Sequence, residues 1–126
     1  MDKQTISSDR VPPAVGPYSQ AVRAGDFIFC SGMLGISPET GEMVEESFEA
    51  QVRQVMDNIV AFLDDCGTSA EAVVKATVFL ADMDDFSRFN PIYAEYFSAD
   101  PPARSTVQVG ALPLGARIEV EVIALA

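Results

Sequence analysis

Pro101-Pro102-Ala103-Arg104-Ser105-Thr106-Val107-Gln108-Val109, followed after a short loop by Ile118-Glu119-Val120-Glu121-Val122, decides how the chain folds. Two prolines hold the backbone extended and cannot continue a helix, so a strand begins at a defined place. In the second stretch Ile118, Val120 and Val122 share one face and Glu119 and Glu121 the other, the period of a strand with one buried side. Arg104 is one of only 8 basic residues. Its guanidinium carries a fork of donors that matches a carboxylate or a phosphate. An Arg and a Glu on what read as neighbouring strands leave two readings open. They form a structural ion pair at a sheet edge, or an anion clamp beside a carboxylate that handles water or protons.

Upstream, residues 73–80 are rich in β-branched side chains and read as a strand with Val74, Ala76, Val78 and Leu80 on one face. Between it and the Arg104 strand lies a helical pattern over about 82–97. Phe86, Phe89, Tyr93, Tyr96 and Phe97 supply its aromatic face, and Asn90-Pro91 divides it or kinks it. Before residue 73 comes a longer amphipathic helix. Phe48, Val52, Val55, Met56, Ile59, Val60, Phe62, Leu63 and Cys66 recur at helical spacing, Ser47 follows two glutamates at the start, and Gly67 stops it. The N-terminal third holds a short extended piece at Thr5-Ile6 and an irregular arm with Pro12 and Pro13. A hairpin of residues 20–24 and 27–32 turns at Gly25-Asp26. Residues 33–41 read as a loop. Ser31-Gly32 ends a strand where backbone can approach a ligand closely; a Gly that merely relieves a bend is the equal alternative.

The order is β-β-β-α-β-α-β-β, a single α+β domain over residues 1–126. Both helices cover one face of a mixed sheet. The other face keeps apolar side chains, with Val73, Phe79 and Ile123 as candidates, and such a face is buried by self-association.

Composition excludes much. The net charge is −11 with no basic cluster, which disfavours nucleic acid. There is no histidine, and the two cysteines, Cys30 and Cys66, are far apart in apolar contexts, so they read as reduced core or half-buried thiols. That leaves no metal constellation, no Ser-His or Cys-His nucleophile, and acid–base work to carboxylates, hydroxyls or backbone. No dinucleotide or phosphate-loop motif is present, so no cofactor is expected. No apolar run approaches a membrane span and residues 1–5 lack a signal-peptide core, so a cytoplasmic protein without membrane partners is the expectation.

Pro102-Ala103-Arg104-Ser105, Gly110, Leu112 and Ile118-Glu119 resemble the C-terminal signature of the RidA (YjgF-type) enamine/imine deaminase family. Gly16-Pro17-Tyr18-Ser19-Gln20-Ala21, Ser31-Gly32, Pro38-Glu39-Thr40-Gly41-Glu42, Val74-Lys75-Ala76-Thr77-Val78-Phe79, Asp85-Phe86 and Asn90-Pro91-Ile92-Tyr93 match in order and spacing. Val120 stands where the family usually has Ile or Met. Thr106 replaces a frequent Cys, and Ser31-Gly32-Met33-Leu34-Gly35 replaces a frequent Ser-Gly-Gln-Ile-Pro.

The resemblance implies a chorismate-mutase-like fold, a homotrimer, and hydrolysis of small enamines and 2-imino acids such as 2-aminoacrylate to 2-oxo acids and ammonia. It implies Arg104 as carboxylate clamp and Glu119 as the group that handles water, with Tyr18, Ser31, Gly32, Asn90 and Thr106 lining the same pocket. Each has a plainer alternative: Tyr18 packs after a turn, Ser31 bonds its own loop, Asn90 is a turn residue before Pro91. A rival function is a non-catalytic small-carboxylate binder or chaperone-like protein using the same cleft. Ribonuclease and translation-inhibitor activities described for some relatives fit poorly with the charge and the missing histidine.

Overall fold

A computed structural model describes residues 2–126. Strand β1 (Lys3–Ile6) pairs with β2 (Ala21–Ala24), which turns at Gly25 into β3 (Phe27–Cys30). Gly25 has φ 61, a value that the two-residue turn requires and that glycine supplies without steric cost. Strand β4 (Met33–Leu34), helix α1 (Phe48–Asp65), β5 (Val73–Leu80), α2 (Phe86–Tyr96), β6 (Ala103–Gln108) and β7 (Ile118–Leu125) follow. The sheet runs β1-β2-β3-β7-β5-β6, with β4 on β7 beside β3. β5 and β6 are parallel, joined by α2 as the crossover helix; every other pair is antiparallel. The α+β architecture is the expected one, with one addition. Met33–Leu34, read from sequence as loop, forms a short fourth strand whose Leu34 stands opposite Glu119.

Helix α1 begins as its sequence demands. The Ser47 hydroxyl accepts from the Ala50 N–H, and Gly67 at φ 80 follows the C-terminal turn. Phe48, Val52, Val55, Met56, Ile59 and Leu63 pack from α1 against Ala76, Val78 and Leu80 of β5 and Ile118, Val120 and Val122 of β7, while Phe62 packs with Val11, Ala21 and Ile28. Each such large side chain contributes about 1.5–3 kcal/mol. Val60, apolar at helical spacing, is left exposed. Two polar residues on the inner side of α1 are buried with partners. Gln51 accepts from the Arg117 N–H at 2.7 Å and donates to the Val44 carbonyl at 2.9 Å. Asn58 donates to the carbonyls of Leu34 at 3.2 Å and Ile36 at 2.9 Å. These bonds fix β4 and the start of β7 against the helix, and so fix the ground on which Glu119 stands.

The second face of the sheet is open, as expected, but Val73 is not on it. A bulge shifts the register of β5 against β7 between Val73 and Lys75. Val73 turns into the helix-side core and Val74 turns out, 37 % exposed. The open face carries Phe27, Phe29, Val74, Val107 and Leu125, all exposed, with Phe79 and Ile123 half-buried among them. Helix α2 is one helix with Pro91 inside it, preceded by a 3₁₀ turn at Met83–Asp85. No helix of the described residues is long and apolar enough to cross a membrane.

Candidate active site in two halves

The first half of the site is built on β6 and α2. Arg104 stands opposite Ala76 of β5 in the parallel register, and Ala76 is fully buried on the helix side. Arg104 therefore projects toward α2. Its guanidinium carbon lies 4.8 Å from the ring centre of Tyr93, 5.5 Å from that of Phe89 and 5.6 Å from that of Phe86. These rings occur together because positions 86, 89 and 93 recur at helical spacing. Among the described residues Arg10, Arg53, Arg88 and Arg117 pair with carboxylates, whereas Arg104 and the exposed Arg23 pair with none. Aromatic faces attract the charge without using its five N–H donors. Asn90 follows Phe86 by one turn of α2 and precedes Tyr93 by three residues, so it shares this face of the helix. Thr106, on the same face of β6 as Arg104, has its hydroxyl buried without a hydrogen-bond partner.

The second half is built on β7, β3–β4 and the loop before β2. Glu119 stands opposite Phe79 of β5 and Leu34 of β4, on the open face. Its carboxylate lies directly on the backbone of Gly32. A Cβ at residue 32 would come within 2.1 Å of Glu119 Oε2, so only glycine permits this position. Gly32 thus serves as a close-approach residue. Burial, and then the neighbouring Glu121, raise the Glu119 carboxyl above its ordinary value. The Ser31 hydroxyl donates to the Ser19 carbonyl at 2.7 Å, and the Ser31 N–H to the Gln20 carbonyl at 2.9 Å. Ser31 does bond across to the preceding loop, and in doing so carries Tyr18 to the same end of the sheet. Tyr18 is half exposed and flanks a cleft of about 240 Å³ that touches neither Arg104 nor Glu119.

The two halves do not meet within one chain. The sequence suggests that Arg104 and Glu119 lie on neighbouring strands; in the fold β5 runs between β6 and β7. Arg104 is level with Val122, three rows from Glu119, and the two side chains leave opposite faces of the sheet. Strand spacing and rise put their Cα atoms roughly 14 Å apart. An ion pair between them in one chain is excluded.

What the sequence did not single out is the role of the α2 aromatics as a seat for Arg104, and of Asn58 as the anchor of β4. Both look like core positions by periodicity. Burial pushes the Cys30 thiol up to about 12 and the Cys66 thiol up to about 11, which disfavours the thiolate at both. The described residues contain no group of three or more Cys, Asp or Glu arranged to hold a metal ion.

The chain is thus an α+β domain with an unpaired, ring-seated arginine on one side of its sheet and a partly buried carboxylate on the other. The chain belongs to the RidA/YjgF family: the family profile described as Endoribonuclease L-PSP matches residues 8–126. It is 52 % identical over 97 % of its length to Reactive Intermediate Deaminase A, chloroplastic, of Arabidopsis thaliana, and spans 65 % of that longer protein. It is 44 % identical to the 2-iminobutanoate/2-iminopropanoate deaminase of Bos taurus, covering 98 % of this chain and 90 % of that one. The crystal structure of E. coli TdcF with bound serine superposes with a TM-score of 0.92 at 36 % identity, covering 98 % of each chain.

Proposed function

We propose that this protein hydrolyses small 2-imino acids and their enamine tautomers, 2-aminoacrylate among them, to 2-oxo acids and ammonia. The observation that carries the reading is Arg104, a guanidinium seated on three aromatic faces with all its donors free of carboxylate partners. A cation so prepared selects a small anion that brings two oxygens in one plane. The serine bound to the related TdcF is an amino acid with such a carboxylate.

The chemistry asked of the site is modest. The substrate carboxylate docks on Arg104, which leaves the C=N carbon held at a fixed distance. Glu119 orients a water and accepts one of its protons as the oxygen bonds to that carbon. Glu119 passes that proton to the nitrogen, giving a carbinolamine; the hydroxyl proton then follows by the same route as the C–N bond breaks, and ammonia leaves a C=O behind. One water is consumed per imine. The iminium carbon is already electrophilic, so placement supplies much of the rate.

With Arg104 and Glu119 on opposite faces, their joint action on one substrate calls for a second copy of the chain. The apolar open face, from Phe27 and Phe29 to Val107 and Leu125, supports a homotrimer in which Glu119 of one chain meets Arg104 of the next. The role suits removal of reactive by-products in the cytoplasm. A net charge of −11 and the absence of histidine weigh against RNA as substrate. The test is to generate 2-aminoacrylate with a serine dehydratase and add this protein in catalytic amount. Faster appearance of the keto acid is expected. Stoichiometric binding with no gain in rate would replace the enzyme with a carboxylate binder.

A further inference from the structure

We propose that Tyr93 is a further substrate-binding residue, its hydroxyl acting with that of Thr106 on the same carboxylate that Arg104 holds; this rests on the reading of Arg104 given above. Tyr93 is 6 % exposed and sits beneath the guanidinium, ring centre to Arg104 carbon 4.8 Å. Its Oη is buried and has no hydrogen-bond partner; Thr106 Oγ1 is in the same condition. These are the buried side-chain atoms of the described residues left unpaired, and both belong to the layer between β6 and α2 that Arg104 occupies. A buried hydroxyl without a partner costs stability, so phenylalanine and valine would suit the unliganded fold better.

The count of donors explains the pair. A carboxylate offers about four lone-pair directions, and a bidentate arginine fills two of them. Two hydroxyl donors fill the rest. Burial raises the Tyr93 phenol above its ordinary value, partly offset by Arg104, so it keeps its proton to donate. Arg104 is half-exposed over the buried ring and tied by ring faces alone, so its head can adjust to admit the anion to the hydroxyls behind it.

The decisive variant is Tyr93→Phe, which keeps the ring under Arg104 and removes only the oxygen. Three quantities are read: thermal midpoint without ligand, affinity for 2-oxobutanoate by calorimetry, and KM against kcat for 2-iminobutanoate generated in place. The expected result is an unchanged or higher midpoint, a 5- to 20-fold loss of 2-oxobutanoate affinity, and a loss in KM larger than that in kcat. Tyr93→Phe/Thr106→Val should lose more affinity than either single change. Affinity within twofold of wild type in Tyr93→Phe overturns the proposal, as does a lowered midpoint, which would give the hydroxyl a structural partner instead. Failure of the wild-type protein to bind 2-oxobutanoate at all would overturn the reading of Arg104 itself, and this assignment with it.

Discussion

Arg104 and Glu119 leave opposite faces of one sheet with strand β5 between them. If catalysis needs both, no single chain can supply it, and two inactive variants should complement each other. Arg104→Ala and Glu119→Gln proteins, unfolded together at equal amounts and refolded, should regain about one quarter of wild-type activity if the proposed assembly forms, because one site in four then joins an intact Arg104 to an intact Glu119 of a neighbouring chain. The mixture is assayed beside each variant alone. No gain on mixing would mean that the two groups serve one chain or that only one of them is needed.

Arg104 has no ion pair to lose, so its removal should spare the fold. Arg104→Ala should change the thermal midpoint little and lower kcat/KM by roughly 100-fold or more, at about 1.5–3 kcal/mol for each charged hydrogen bond. Arg104→Lys should recover little, since an ammonium keeps the charge but neither the fork nor the flat face that lies on Tyr93. Near-wild-type turnover in Arg104→Ala would remove this residue from the mechanism.

Gly32→Ala tests the contact with Glu119. The added methyl collides with the carboxylate, which must leave its position. Overpacking of this kind costs about 1–3 kcal/mol, and turnover should fall at least 10-fold. Gly32→Ala/Glu119→Ala should restore the melting temperature but not the rate. Equal melting of Gly32→Ala and wild type would show that the side chain yields without cost.

The acidity of Glu119 sets the pH response in two directions. Its carboxyl is raised by burial and by Glu121, so the acid limb of the rate profile should fall above the ordinary 4.5. Glu121→Gln should move that limb down. For stability, a raised carboxyl contributes fully below its unfolded value and the contribution is lost as pH rises through the folded value; Glu119→Gln should therefore gain stability at neutral pH. Asp65 behaves oppositely. Bonds from Ser8 and Arg10 hold it below 3.8, so its contribution is present above that value and disappears as pH falls further. Melting curves at pH 3 to 8 on Glu119→Gln and Asp65→Asn separate the two; parallel curves for both would contradict the assignment.

Much of the fold is decided locally. The alternation of Ile118 to Val122, the helical recurrence of Phe48 to Leu63, Ser47 before the helix and Gly67 after it each act over a few residues, and each appears in the structure where the sequence puts it. The residues of the candidate site are legible for the same reason, because short motifs such as Gly16-Pro17-Tyr18 and Pro102-Ala103-Arg104-Ser105 are contiguous.

Other features belong to tertiary structure. Which strand lies between which is a property of the whole sheet: the insertion of β5 between β6 and β7 separates Arg104 from Glu119, and the registers of β6 and β7 on β5 send them to opposite faces. A single bulged residue exchanges Val73 for Val74 on the open face, and alternation cannot foresee a break in its own period. Tyr93 reads as core in any helical projection. Its ring does pack as core, and its stranded hydroxyl becomes visible only when the strand opposite brings Arg104 over it. Periodicity reports which side a residue faces; the partners that face it come from distant segments, and they decide what it can do.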